Sequence, residues 1–275
     1  MPRCQMSQRL TSLFPEICIA TFPTLALLCG LTALIGIGLS FDTQVSAADD
    51  LNASAESDGK RTLLFEDDFE RNESQEQTDE LGNGWGTNSD KRAGGNKQVD
   101  LGDGAMFIFR HKTADHGVSV THPAEFKDCQ IQLRFRLDNK ADDFGIDIAD
   151  MGFPDVHAGH ICKVNFRPQE IEILDFKNGR MKKSYRDAAK AGTATAEQKA
   201  AVKQYERKWQ HPITLGQWHD AVITIRGDIF SVQLDGTKIA TFTSDGFDHP
   251  TKDMIRFSAR REARVDDVKV YSLAP

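Results

Sequence analysis

His157 and His160 stand three residues apart, with Asp147, Asp150 and Asp155 shortly before them and Lys163 and Asn165 shortly after. Imidazole is the side chain whose charge changes near neutral pH, so either histidine is a candidate for proton transfer, and His160, at the entrance to a strand, is the better placed. The same spacing occurs in some metal sites, but it puts two histidines together only on a helix and on opposite faces of a regular strand. Gly152, Pro154 and Gly159 make the approach a loop. The alternative for both rings is a loop-stabilising hydrogen bond.

A second set of candidates comes from strand parity. Cys129 to Asp138 alternates Ile131, Leu133, Phe135 and Leu137 with Gln130, Gln132, Arg134 and Arg136. Such alternation is a strand with one buried and one wet face. His160 to Arg167 turns Cys162, Val164 and Phe166 inward and Lys163, Asn165 and Arg167 outward, while Phe144, Ile146 and Ile148 leave Asp147 on the polar side. If Arg134, Arg136, Asp147, Lys163 and Asn165 share one wet face, they form a groove with the donors and acceptors a sugar needs. The competing reading is a solvated sheet face. Parity also puts His160 with Cys162 and Val164, so a catalytic ring has to leave the apolar layer at the strand edge. Trp85 either stacks on a sugar or covers the core, Trp209 closes the helical insertion, and the Trp218-His219 pair seals one end of the sandwich.

Further strands are expected at 105–110, 221–226, 229–234, 238–242, 254–258 and 268–273, with Asp235-Gly236 as a hairpin turn. Many half-buried strands without regular helix alternation predict an all-β fold, a two-sheet antiparallel jelly-roll sandwich. Ser184 to Trp209 is the exception, a short helical insertion broken at Gly192 and capped by Thr195 ahead of Gln198. The last strand is expected to pair with the one beginning near Leu63.

The chain has 275 residues, 39% of them hydrophobic, enough for a real core; 34 Lys plus Arg against 41 Asp plus Glu disfavour nucleic acid as a partner. Arg3 and Arg9 precede a charge-free stretch from Ile17 to Phe41, and Val45-Ser46-Ala47 follows at the spacing of an export cleavage site. Residues 1–47 read as a signal peptide or an N-terminal membrane anchor, 48–61 as a flexible linker and 62–275 as the domain, placing it in the periplasm, outside the cell or anchored in the envelope. Beyond that segment only Cys129 and Cys162 remain, either paired or packed as buried thiols. Asp67 and Asp68 near the first strand and Asp266 and Asp267 near the last offer oxygen ligands for Ca²⁺, or local backbone caps.

Leu64-Phe65-Glu66-Asp67-Asp68-Phe69-Glu70-Arg71 followed by Gly84-Trp85 resembles the opening of the 3-keto-disaccharide hydrolase-like domains, a branch of the concanavalin A-like, laminarinase-like jelly rolls. His157 to Val164 is similar to the central segment of a secreted subgroup, and Gly216 to His219, Val232 to Gly236 and Val265 to Val270 resemble the closing strands. The resemblance implies a saccharide or glycoside ligand. It also implies a glycoside-cleaving hydrolase or lyase in which His160 or a carboxylate removes a proton beside a 3-keto group, Asp147 orients it, and Lys163 or Arg134 steadies the oxyanion. Glu170-Ile171-Glu172-Ile173-Leu174-Asp175 resembles the three-carboxylate strand of laminarinase-like hydrolases, with Glu170 as nucleophile, Glu172 as helper and Asp175 as acid/base. It departs from that pattern in having Glu at the centre and Asp at the end, and it needs a bulge after Glu172 to bring the third carboxylate round. Non-catalytic carbohydrate binding and a structural role in the cell envelope are the alternatives.

Overall fold

The computed structural model describes residues 60–274. The proposed signal segment and nearly all of the linker lie outside the described residues. The chain runs from β1 (Arg61–Asp67) through the short β2 (Gly86–Thr87) and helix α1 (Ser89–Ala93) to β3 (Val99–Gly102) and β4 (Ala105–Phe109). Strands β5 (Val118–Phe126), β6 (Cys129–Arg136), β7 (Phe144–Ala149), β8 (His160–Arg167) and β9 (Glu170–Asp175) follow. Helices α2 (Lys183–Lys190) and α3 (Ala196–Lys203) lead into β10 (Glu206–Gln210), and β11 (His219–Arg226), β12 (Ile229–Leu234), β13 (Thr237–Thr243), β14 (Lys252–Ala259) and β15 (Glu262–Leu273) complete the domain.

Every strand pairing is antiparallel, and the strands form two sheets. The front sheet has the order β10-β9-β8-β7-β14-β5-β2; the back sheet has the order β13-β12-β11-β6-β15-β4-β3, with β1 also on β15. The fold is therefore an all-β jelly-roll sandwich. Residues Arg61 to Asp67 pair with Val268 to Leu273, which closes the two ends of the domain on each other as expected.

Alternation explains the layering. Ile131, Leu133 and Phe135 of β6 face Phe144, Ile146, Val164, Phe166 and Phe257 of the front sheet inside one core, all at most 3% exposed. Phe135 ties the sheets together, its ring centroid 4.6 Å from that of Phe166 and 5.6 Å from that of Phe144. Each such side chain contributes about 1.5–3 kcal/mol by burial. Asp235 and Gly236 take φ of 50° and 75°, the left-handed pair that a two-residue hairpin between β12 and β13 requires.

The insertion is helical where α2 and α3 run, and Thr195 with Gln198 closes a reciprocal capping box. Its end differs from the sequence expectation. Glu206 to Gln210 is a strand paired to β9, so Trp209 is an edge-strand residue packed against the core, opposite Ile171. Cys129 and Cys162 are free, buried thiols rather than a disulfide. Burial pushes Cys129 up to about 12 and Cys162 well above the ordinary thiol range, which removes both as nucleophiles.

Candidate functional site

Three neighbouring strands of the front sheet carry the polar cluster, and their register aligns it in rows. Arg256 of β14, Asp147 of β7 and Lys163 of β8 lie directly opposite one another; in the next row come Ser258, Gly145, Asn165 and, on β9, Glu172. Inward neighbours Ile146, Ile148, Val164, Ile255 and Phe257 hold these strands to the core, so the rows project from the outer face.

His160 reaches the same face through a register shift. Ile148 pairs with Cys162 and Ala149 with His160, leaving Ile161 as an extra residue between them. Ile161 and Cys162 are both fully buried, and His160 therefore loses the inward parity that regular alternation assigns it. Its Nδ1 lies 2.6 Å from Asp147 Oδ2. In the tautomer that donates Nδ1–H to the Asp147 carboxylate, the lone pair is on Nε2; Arg256 Nη1 also lies 3.3 Å from Nδ1. No protein group among the described residues hydrogen-bonds Nε2.

The surroundings of the pair are cationic. Arg256 donates from Nη2 to Ala158 O at 2.7 Å and sets Nη1 3.6 Å from Asp147 Oδ1. That oxygen is buried and has no hydrogen bond. Ala158 takes φ of 51° in the short turn before β8, which aims its carbonyl at the guanidinium. Lys163 donates to Ser258 Oγ at 2.7 Å, crossing Gly145 to do so. A Cβ on Gly145 would stand 2.6 Å from Ser258 Oγ and 2.7 Å from Asn165 Oδ1 as well as against Lys163 Cε, so this row needs glycine. Burial pulls the Lys163 ammonium below its ordinary range, partly offset by the charges of Asp147 and Asp143. A cavity of about 650 Å³ opens over these groups, its walls completed by Arg110, His157, Phe176, Arg180 and Arg186.

His157 lies at this cavity, its ring centroid 6.3 Å from that of His160. Burial first, and then the nearby Arg186 charge, lower its pKa. Among the described residues no three His, Cys, Asp or Glu side chains converge as metal ligands, around these histidines or elsewhere.

Several other candidates are placed elsewhere. Arg134 and Arg136 belong to β6 in the back sheet and do not share the face of Asp147, Lys163 and Asn165; parity sorts residues within a strand and says nothing of which sheet the strand joins. Arg134 pairs with Asp266 and Asp267, and Arg136 with Asp138. Trp85 is 8% exposed, packed against Phe69 and Phe257, and donates from Nε1 to Asp67 Oδ2 at 2.8 Å, so it covers the core. His219 is buried between Asp235 and Thr214 O at one end of the sandwich. Asp67 accepts from Arg71, the backbone of Phe69 and Trp85, Asp68 accepts from Glu70 N, and Asp266 and Asp267 pair with Arg134.

The acidic strand is corrected too. Strand β9 pairs with β8 in unbroken register, with no bulge after Glu172. Glu170 and Glu172 share the outer face, while Asp175 turns the other way to accept from Ser244 and Asn178. Glu172 is bonded by Asn165 at 3.0 Å and Arg167 at 2.9 Å. Burial opposes its ionisation, but these partners prevail and hold it below the usual carboxylate range. The three carboxylates do not form a nucleophile and acid/base set.

Arg256, Ser258 and Gly145 escaped the sequence reading. Ile255 and Phe257 signal that Arg256 and Ser258 share a polar face, but only the pairing of β14 with β7 brings that face to Asp147.

Solved structures share this fold. The laminarinase from Rhodothermus marinus superposes with a TM-score of 0.52 at 12% identity, over 79% of this chain and 99% of that one. A mutant of SCLam, a non-specific endo-beta-1,3(4)-glucanase from family GH16 co-crystallised with 1,3-beta-D-cellotriosyl-glucose, gives 0.50 at 13% identity, over 78% and 95%. The carbohydrate binding module CBM66 from Bacillus subtilis gives 0.46 at 12%, over 71% and 97%. The superpositions at TM-scores of 0.52 and 0.50 show the fold alone and leave the chemistry to the residues. No curated protein matches in sequence. The family model spanning residues 76–270 shows that the chain belongs to the 3-keto-alpha-glucoside-1,2-lyase-like domains.

Proposed function

We propose that this domain cleaves 3-keto-glycosides, with His160 as the general base. The observation that carries the reading is the His160 and Asp147 pair at 2.6 Å, facing a cavity through an uncommitted Nε2. A carbonyl at C3 acidifies the C2 hydrogen. His160 Nε2 takes that proton and the C–H electrons form an enolate whose charge sits on the C3 oxygen. Lys163 and Arg256 supply the positive charge that stabilises this oxyanion in a recessed site, where a charged donor is worth more than in bulk water. Re-forming the carbonyl expels the C1 substituent, which leaves with a proton as the free alcohol, and Asp147 stabilises the imidazolium between the two transfers. Water addition to the resulting unsaturated sugar makes the overall reaction a hydrolysis; its omission makes it a lyase reaction.

The test is product release from synthetic 3-keto-glycosides, followed with the parent glycosides as controls. Release from the keto substrates alone is the expected result, with solvent deuterium at C2 of the recovered sugar where water adds and a C1–C2 unsaturated 3-keto sugar where it does not. Binding without release moves the assignment to a carbohydrate-binding module. We further propose, on the strength of residues 1–47, that the reaction takes place after export, and sequencing of the mature N-terminus is expected to begin at Ala48.

A further inference from the structure

The whole chain carries a formal net charge of −7, yet its main cavity has the opposite sign. The three carboxylates of the lining all have cations of their own. Asp115 faces Arg92 at 3.5 Å, Asp143 takes Arg260 at 2.5 Å, and Asp147 is held by His160 and Arg256. Among the described residues no carboxylate lies within ion-pair distance of Arg110, Arg186 or Lys163, and that of Arg180 is Glu206, 3.5 Å away. The oxyanion chemistry occupies Lys163 and Arg256, Arg167 is paired with Glu170 and Glu172 and Arg260 with Asp143, which leaves Arg110, Arg180 and Arg186 on the walls.

These three come from different elements and are held in place. Arg110 follows β4 and donates to Ala114 O at 2.6 Å; Arg180 lies over the Phe176 ring at 5.3 Å; Arg186 on α2 contacts Met181 Sδ at 3.5 Å. Arg110 and Arg186 pair with no acid among the described residues and Arg180 only with Glu206 at 3.5 Å, and all three are collected around one concavity beside His160. Guanidinium is also the side chain best matched to planar or tetrahedral oxyanions, because its donors form a rigid fork.

We propose that the saccharide taken by this cavity carries an anionic substituent, a carboxylate or an ester sulfate, bound by Arg110, Arg180 and Arg186. The inference rests on the cavity being the saccharide site. It deepens the reading above by naming the charge of the substrate, and binding tests it without any requirement for turnover.

The measurement is calorimetric titration of the full chain with methyl glucoside, methyl glucuronide and methyl glucoside 6-sulfate at low ionic strength and again at high salt. At least one anionic probe is expected to bind about tenfold or more tightly than the neutral one, a preference that shrinks as salt screens the charges. The tighter of the two probes identifies the group as carboxylate or sulfate. Arg110→Gln combined with Arg186→Gln, both at exposed positions, is expected to remove most of the preference. Equal affinity for all three probes in the wild type overturns the inference, as does a preference that survives both substitutions and high salt. A neutral 3-keto-glucoside turned over by a protein without anion preference would remove this inference and leave the proposed reaction standing. A protein with anion preference and no turnover would do the reverse.

Discussion

The two outer faces of the sandwich are built by the same alternation and differ in how their charges are satisfied. On the back sheet, Arg134 sits between Asp266 and Asp267, Arg136 meets Asp138, and both guanidinium groups lie over the Trp218 ring at 5.3 and 5.6 Å. On the front sheet, Lys163 has a serine hydroxyl, Arg110 and Arg186 have backbone or sulfur contacts, and His160 keeps a bare Nε2 beside a buried carboxylate. A wet face with its charges neutralised locally is a solvated surface. A wet face with cations left over, a fixed imidazole and a cavity above it has capacity to bind and react.

The contrast can be broken most severely at Asp147. Asp147→Asn keeps an acceptor for His160 Nδ1 but removes the negative charge that stabilises the imidazolium, and turnover of a 3-keto-glycoside is expected to fall about 10²-fold, a loss of about 2.7 kcal/mol in transition-state stabilisation, in steady-state assays. Gly145→Ala comes next. Its Cβ would displace Ser258 Oγ, Lys163 or Asn165, and about a tenfold loss of turnover is expected, with a drop of about 1–3 kcal/mol in stability measured by urea unfolding.

These two positions also show what the sequence could and could not disclose. The strands that hold the core were legible because Ile131, Leu133 and Phe135, or Val164 and Phe166, repeat with period two and meet no competing helical pattern. Asp147 and Lys163 were legible as outward residues for the same reason. The partner of a strand is not written in its own period, so Arg134 and Asp147 looked interchangeable although they sit on opposite sheets. A bulge is equally silent: one extra residue at Ile161 turns His160 outward, whereas the bulge imagined after Glu172 does not occur. Gly145 has no sequence signature beyond its type, since its need for a bare Cα comes from Lys163 and Ser258 on two other strands.

A milder test separates structural from catalytic carboxylates. Burial opposes ionisation of Asp67, but the bonds from Arg71, Phe69 N and Trp85 prevail and hold its folded pKa below the ordinary 3.8. Its contribution to stability is complete above the unfolded value of 3.8 and is lost as pH falls through the lower folded value. Acid unfolding of wild type compared with Asp67→Asn is expected to show a stability difference that narrows below pH 3.8. The smallest effect belongs to the back face, where Arg134→Gln is expected to change turnover by less than about twofold, because its pairs with Asp266 and Asp267 lie on the sheet opposite the cavity.

The most direct measurement is the rate of cleavage of one 3-keto-glycoside by His160→Gln, with Arg134→Gln as the matched variant of the other face and both confirmed as folded. The account predicts a loss of about 10²-fold or more for His160→Gln and near wild-type turnover for Arg134→Gln. Undiminished cleavage by His160→Gln, or an equal loss in Arg134→Gln, would contradict the assignment of the front face as the reacting one.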